Sequence, residues 1–192
     1  MIKIDDYDIL CDNKMTLKEL SKDDSDNENI EYVTDSMLVA TNFDLVKRLY
    51  TNSLGLSEEV VSSADALVET NDSIALIEFK NGTVVNREIK NKARDSLLIL
   101  CDIIEKEISY TRKYLDFVLV YNESKNPLPN QYTKGVVRDS SSRLNISKYF
   151  LQKGKEEIVL YDLNRYKGIY FREIHTYTQE EFEEYLKSNF AS

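Results

Sequence analysis

The chain has 192 residues, of which 42% are hydrophobic and 31% charged, and its formal net charge is -9. This length suits a single domain with a substantial core, and the overall acidity argues against indiscriminate binding of nucleic acid by the whole surface. No apolar run approaches membrane-spanning length and the N-terminus has no signal-peptide pattern, so we expect a cytoplasmic protein without a membrane partner.

The charge is unevenly distributed along the chain. Residues 1–35 contain 11 acidic and 4 basic side chains, whereas residues 125–172 contain 4 acidic and 10 basic side chains. The single domain thus has an acidic N-terminal region (1–35), a central core (40–122) and a C-terminal part (131–192). The basic segment (125–172) overlaps the C-terminal part. That segment is either a solvated mixed surface or a contact for an anionic partner.

The N-terminal region and the first clear helix come next in chain order. Residues 1–10 are interpreted as a short strand or an arm, and residues 16–20 as a helical turn. Thr41 and Asp44 form a start similar to a capping box, and they predict a helix over residues 41–54. The two cysteines of the chain lie in apolar runs far apart, which predicts reduced core residues rather than a disulfide or a zinc site.

The best-defined pattern is the stretch 65–80, DALVETNDSIALIEFK. Two short apolar runs flank the polar residues 70–73, which have the composition of a turn. Apolar runs of this length on either side of turn residues predict an antiparallel hairpin.

The register of this hairpin follows from the position of its turn. With the turn centred in the polar stretch, paired residues have numbers that sum to 143, so Asp65 lies directly opposite Glu78. Lys80, two residues further along, lies on the same face because strand side chains alternate. Two opposed carboxylates repel each other, and we therefore expect a cation between them.

After the hairpin the pattern changes to helical. Residues 87–108 predict one long helix that is buried nearly all round in its middle. Residues 117–121 are continuously apolar, which predicts a central strand covered on both faces. Further along, residues 145–151 predict a helix, and residues 158–163 and 168–174 predict strands.

The last predicted element begins with a capping box. Thr178 and Glu181 have the spacing in which each side chain binds the backbone N–H of the other residue, which predicts a last helix. Together, the hairpin, the following helix and the buried strand predict an α/β fold, with a mixed central sheet and flanking helices.

The three charged hairpin residues have the chemistry of metal-dependent phosphodiester hydrolysis. Two carboxylates, Asp65 and Glu78, can hold one or two magnesium ions, which prefer oxygen ligands. Such an ion neutralises a phosphate and lowers the pKa of a bound water, and Lys80 can orient that water or stabilise developing charge. The three are therefore candidate catalytic residues. The alternative is an ion-pair cluster at a sheet edge, which contributes little energy.

The order of these residues resembles the PD-(D/E)XK nuclease superfamily. That pattern has an aspartate on one strand, Glu-x-Lys on the next antiparallel strand, then a helix and a strand. In this chain it reads Asp65, then Glu78-Phe79-Lys80, within residues 40–122. The resemblance implies a restriction-endonuclease-like αβββαβ core, extended here by a C-terminal strand and helix. It also implies cleavage of nucleic acid with Mg²⁺ or Mn²⁺.

The chain differs from the superfamily pattern before the hairpin. Ala64 precedes the aspartate, where many members have proline. Some members carry a further acidic residue on the first helix, and both Asp44 and Glu58 are open for that role.

Basic side chains in two stretches are candidates for nucleic-acid contact. Positive charge at a helix N-terminus is unfavourable to the helix dipole, which favours a functional reason for the basic start of the long helix. The candidate contacts are Lys90, Lys92, Arg94, Arg138 and Arg143.

A second hypothesis is a non-enzymatic binding protein on a degenerate nuclease-like fold. An acidic domain of this size suits an immunity-type partner for a basic toxin or nuclease, because charge complementarity speeds association. Such binding would not require Asp65 or Glu78.

Overall fold

The computed structural model describes residues 1–23, 30–128 and 157–190, together with Arg143 and Ile146. The helix predicted over 145–151 lies outside the described residues, apart from Ile146. The strands of the described part are β1 (Lys14–Thr16), β2 (Lys22–Asp23), β3 (Glu31–Tyr32), β4 (Val39–Asn42), β5 (Ala66–Glu69), β6 (Ile74–Lys80), β7 (Leu115–Tyr121) and β8 (Ile174–Thr178). Its α-helices are α1 (Asp8–Cys11), α2 (Leu17–Leu20), α3 (Phe43–Ser53), α4 (Asn86–Ile103), α5 (Ile108–Tyr114) and α6 (Gln179–Phe190).

Six of the described strands form one mixed sheet, in the order β1-β4-β5-β6-β7-β8. Neighbouring strands from β1 to β6 are antiparallel, whereas β6, β7 and β8 are parallel. The strands β2 and β3 form a separate antiparallel pair. The predicted mixed α/β fold is confirmed at this level.

The β5–β6 hairpin has the predicted register. Ala66 pairs with Ile77 and Glu69 pairs with Ile74, so the paired numbers sum to 143. The turn is closed by Thr70, whose N–H donates to the carbonyl of Ser73 at 2.8 Å and whose hydroxyl accepts from the N–H of Ser73 at 3.0 Å. These local hydrogen bonds fix the register, and with it the residues that face each other across the strands.

Helices cover both faces of the sheet. Leu67 and Leu76 pack against α3 and α4 in one core, which includes Leu97. Ile77, on the opposite face of β6, packs in a second core with Phe182 of α6. Strand β7 is buried along its whole length because it lies between two parallel strands and under both layers, as its continuous apolar run predicted.

The long helix predicted over 87–108 was wrong at its C-terminal end. Helix α4 stops at Ile103, and Glu105 has a φ of +53°. The N–H of Lys106 donates to the carbonyl of Cys101 at 3.0 Å, which is the hydrogen bond of a Schellman motif. A residue other than glycine occupies the left-handed position of this motif, so the sequence lacked the usual signal for a helix end.

The first elements also differ from their prediction. Residues 1–10 contain a 3₁₀ turn and most of α1 rather than a strand. Helix α3 is capped by Asn42, whose side chain accepts from the N–H of Leu45 at 3.0 Å. Thr41 instead lies on β4 and donates its hydroxyl to the carbonyl of Leu10 at 2.9 Å.

The strands predicted over 158–163 and 168–174 were wrong. Tyr161 and Asp162 have φ values of 61° and 56°, and two consecutive left-handed residues turn the chain instead of extending it. Strand β8 begins only at Ile174.

The capping box before the last helix is confirmed. The N–H of Glu181 donates to the hydroxyl of Thr178 at 3.3 Å, and the N–H of Thr178 donates to the carboxylate of Glu181 at 2.9 Å. This reciprocal pair satisfies backbone donors at the junction of β8 and α6.

A buried ion pair stabilises the end of the sheet near the hairpin turn. Asp116 of β7 is 2% exposed, and its two oxygens accept from Arg172 at 2.8 and 2.7 Å. The hydroxyl of Ser73 and the N–H of Glu173 donate to the same carboxylate, at 2.7 and 3.1 Å. The carboxylate is therefore fully paired within the chain.

We expect Arg172→Ala to lower the free energy of unfolding by about 3–5 kcal/mol, because it leaves the Asp116 carboxylate buried without a cationic partner. Urea denaturation at neutral pH measures this loss. Arg165→Ala is the control, since Arg165 forms an exposed ion pair with Asp162 and its loss changes stability little. Equal losses in the two variants would contradict the prediction.

Candidate active site

Asp65 and Glu78 face each other across the hairpin, as the register requires. The N–H of Asp65 donates to the carbonyl of Ile77, and its carbonyl accepts from the N–H of Phe43, both at 3.0 Å. Asp65 therefore continues the ladder of β5 by one residue, directly across from Glu78 near the end of β6. Because strand side chains alternate, both carboxylates lie on the face that α3 and α4 cover.

The cation between the two carboxylates is the ammonium of Lys92. Its Nζ lies 2.7 and 3.0 Å from the two oxygens of Glu78 and 3.6 Å from Oδ1 of Asp65. Lys92 lies in the second turn of α4 and is one of the predicted nucleic-acid contacts. The expected cation is thus a side chain of the same protein.

Burial and mutual repulsion shift the ionisation of this group. Burial, with repulsion from Asp65, raises the pKa of Glu78 well above its ordinary value. Burial also raises the pKa of Asp65, against the attraction of Lys92. Burial alone would lower the pKa of Lys92, but the two carboxylates outweigh it and raise that pKa. Perturbed groups that interact in this way are characteristic of functional sites, although structural ion-pair networks also produce them.

A third carboxylate, that of Asp44 in the first turn of α3, extends the group. Its Oδ1 accepts from the hydroxyl of Ser63 at 2.8 Å, and its negative charge contributes to the raised pKa of Asp65. The other acidic residue left open by the sequence, Glu58, pairs with Arg48 at 2.6 Å. Of the two, Asp44 is the one that acts on Asp65.

Lys80 lies on the same face as Glu78, as the strand period predicted. Its Nζ lies 3.6 Å from the carboxylate of Glu88 on α4. The ammonium that bridges Asp65 and Glu78 is therefore that of Lys92, while Lys80 supplies positive charge beside them.

A polar cleft of about 290 Å³ adjoins the site. Asp65 and Lys80 contribute to its lining from the hairpin, and Lys22 and Asp23 contribute from β2. The Asp65 side chain retains 24% exposure, whereas that of Glu78 retains 1%. Solvent and small polar ligands thus reach the group through Asp65.

The donor atoms of the site suit magnesium in kind, since carboxylate oxygens are its preferred protein ligands. Both oxygens of Glu78 accept from Lys92, and Oδ2 of Asp65 accepts from the N–H of Phe79 at 2.7 Å. Among the described residues, no three or more acidic, histidine or cysteine side chains are grouped so that they could hold a metal ion. The Lys92 ammonium therefore occupies the position between the carboxylates that a divalent ion would compete for.

Two of the other predicted nucleic-acid contacts, Lys90 and Arg94, have partners other than the two carboxylates. Lys90 pairs with Asp162 at 2.8 Å. Arg94 is exposed, with hydrogen bonds to the carbonyl of Lys90 and the side chain of Asn91. Arg138 lies outside the described residues.

Arg143 is buried rather than exposed to a ligand at the surface. It is 1% exposed and donates to the carboxylate of Glu181 at 2.9 Å and to the hydroxyl of Tyr121 at 2.6 Å. It also donates to the carbonyls of Ile158 and Thr176. This guanidinium joins the C-terminal part to β7 and β8, and so has a structural role.

Comparisons of the chain with protein-family models, with curated proteins and with solved structures found no match. No helix in the described part of the chain is both long and apolar enough to cross a membrane. The function is therefore inferred from the geometry and electrostatics of the site.

The raised pKa of Glu78 makes stability depend on pH. Above the ordinary glutamate value of 4.5, folded Glu78 keeps its proton longer than the unfolded chain, so folding binds protons and the free energy of unfolding falls as pH rises. Lys92 stays charged in both states over this range and adds no slope.

We therefore expect the stability of the wild type, relative to Glu78→Gln, to decrease as the pH rises above the ordinary glutamate value of 4.5. Urea denaturation of both proteins at several pH values measures the difference. A difference that stays constant, or that grows with pH, would contradict the raised pKa.

Proposed function

We propose that the protein is a metal-dependent nuclease that hydrolyses phosphodiester bonds of nucleic acid. The observation that supports this most strongly is the pair of opposed carboxylates, Asp65 and Glu78, beside a polar cleft with Lys92 between them. Asp65 and Glu78 are the proposed metal ligands, and Asp44 is a further carboxylate whose charge acts on Asp65.

The composition of the hairpin face supports a functional reason for the pair. Leu67 and Leu76, the neighbouring residues on this face, are fully buried and apolar. Apolar side chains at the positions of Asp65 and Glu78 would stabilise such a core at least as well, because burying charges has a large desolvation penalty. A pair of acidic side chains at these positions lowers stability, and a role in binding or catalysis would explain why the chain has it.

Each member of the group has a proposed role. A bound Mg²⁺ or Mn²⁺ would neutralise the phosphate and lower the pKa of a bound water. Lys92 holds its proton at neutral pH and supplies positive charge beside the carboxylates, where an ammonium can orient water or stabilise charge on a phosphate. Lys80 supplies a second positive charge at the cleft.

The proposed restriction-endonuclease-like core corresponds to α3, the antiparallel strands β4, β5 and β6, then α4 and β7. In chain order β4 precedes α3, so the helix lies between the first and second of these strands. A core of the αβββαβ order would have the helix ahead of all three. The proposal therefore depends on the spatial arrangement of the strands and on the site.

We expect the purified protein to cleave labelled DNA or RNA only when Mg²⁺ or Mn²⁺ is added. Asp65→Asn and Glu78→Gln should abolish cleavage, because each removes a proposed metal ligand. Lys92→Met should reduce kcat by about 100- to 1,000-fold, because it removes positive charge beside the reacting phosphate. Gel assays with single- and double-stranded substrates measure these rates.

Lys14→Met is the matched control for these substitutions. Lys14 lies on β1, apart from the site, and forms an ion pair with Asp5. Its loss should leave cleavage unchanged. A wild-type protein that neither cleaves any of these substrates nor binds a divalent ion would rule out the nuclease.

A second candidate function is a non-enzymatic binding protein with a basic protein partner. The observation that favours it is that Lys92 already neutralises part of the acidic group within the chain, as a stabilised ion pair would. The net charge of -9 would speed association with a basic toxin or nuclease.

The two candidates are separated by the double variant Asp65→Ala/Glu78→Ala, tested in cells that depend on the protein. A nuclease loses all activity in this variant, because both proposed ligands are gone. A binding protein keeps its activity and its tight complex, because the contact surface remains. The complex is measured by co-purification of the intact chain with its partner.

A further inference from the structure

The segment that leads into Asp65 is attached to helix α4 through its backbone. The N–H of Ser62 donates to the carboxylate of Asp95 at 2.9 Å, and the N–H of Ala64 donates to the hydroxyl of Ser96 at 2.7 Å. Two alternate N–H groups immediately before the candidate metal ligand are thus held by neighbouring residues of one helix.

The hydrogen bond between Ala64 and Ser96 is completely buried. Both residues are 0% exposed, so without the Ser96 hydroxyl this N–H has no access to water in its place. A proline at position 64 would have no N–H to donate. Alanine keeps the donor, and Ser96 uses it to fix the backbone one residue before Asp65.

A further contact holds the residue between these two. The hydroxyl of Ser63 donates to Asp44 on α3 at 2.8 Å. Residues 62, 63 and 64 are therefore held in turn by α4, by α3 and by α4 again, and the conformation of the segment depends on both helices.

One face of α4 carries three residues that contact the acidic pair or the segment before it. Lys92, Asp95 and Ser96 have the i, i+3 and i+4 spacing that puts side chains on the same side of a helix. Lys92 contacts the two carboxylates, and the other two residues contact the backbone before one of them. One rigid helix thus holds both Lys92 and part of the backbone before Asp65, and support of this kind is what a preorganised site requires.

We propose that Ser96 is a positioning residue that holds the Asp65 carboxylate in place against Glu78 and Lys92. The consequence for catalysis rests on the proposed nuclease function, whereas the positioning itself does not. Ser96 touches neither a metal ligand oxygen nor the cleft, and it acts through the backbone of Ala64.

The test compares Ser96→Ala with the matched control Ser73→Ala. Ser73 is also 0% exposed and also makes a 2.7 Å hydrogen bond, to Asp116 near the opposite end of the sheet. Both variants lose a buried serine hydroxyl, so a general loss of stability affects them alike. An effect confined to Ser96→Ala therefore reports on the site.

In metal-dependent cleavage we expect Ser96→Ala to lower kcat by about 10- to 100-fold with little change in KM, because a small displacement of a reacting group is enough for that loss. Ser73→Ala should keep the wild-type kcat at temperatures where it is folded. Equal effects of the two variants on kcat would overturn the proposal.

A second measurement does not need activity. Hydrogen exchange of the Asp65 N–H, which donates to the carbonyl of Ile77 at 3.0 Å, should be about 10-fold faster in Ser96→Ala than in the wild type when it is measured in the full chain, because the segment before Asp65 has lost a buried hydrogen bond. Ser73→Ala should leave this exchange rate as in the wild type. An Asp65 exchange rate unchanged by Ser96→Ala would overturn the positioning role, and this result is decisive even if the wild type cleaves nothing.

Asp95→Ala provides a further variant if Ser96→Ala is too unstable to study. It removes the acceptor for the N–H of Ser62, two residues earlier in the segment. We expect a smaller increase in the hydrogen-exchange rate of the Asp65 N–H, and an unchanged rate would overturn the proposal that this face of α4 holds the segment.

Discussion

The contact between the Lys92 ammonium and the carboxylates of Glu78 and Asp65 is the interaction on which this structure depends most. Glu78 is almost completely buried, and a buried carboxylate without a partner destabilises a fold strongly. The ammonium makes it possible for two acids to face each other across adjacent strands. The same contact ties α4 to the hairpin. This contact therefore holds together helix α4, the β5–β6 hairpin and the acidic pair.

The two buried acidic groups of the sheet differ in a way that bears on function. At the turn end, Asp116 is matched by the bidentate guanidinium of Arg172, which is the arrangement of a structural ion pair. At the other end, two acids share one ammonium, and the charge of Asp44 adds to them. Asp44 has a partner of its own, Lys47, at 3.0 Å. The two ends therefore differ in that Asp65 and Glu78 share one ammonium beside a polar cleft, whereas both oxygens of Asp116 are bound by one guanidinium.

The nuclease and the binding protein are both consistent with an acidic fold of this kind, and they differ in what replaces Lys92. In a nuclease, Asp65 and Glu78 would hold a divalent ion, and Lys92 would provide positive charge for the phosphate. In a binding protein, the ammonium remains the permanent partner of the acids. Whether a divalent ion displaces Lys92 from Glu78 therefore distinguishes an active site from a structural ion pair.

The amino-acid sequence by itself determined the register of the hairpin, and so the opposition of Asp65 and Glu78, because turn residues and strand alternation are local properties of the chain. It also determined the buried central strand and the last helix cap, for the same reason. Only the tertiary structure decided that Lys92, rather than Lys80, lies between the acids, and that Arg143 is buried. Those outcomes depend on how distant segments pack against the sheet, and no local pattern specifies which charged side chain then meets which partner.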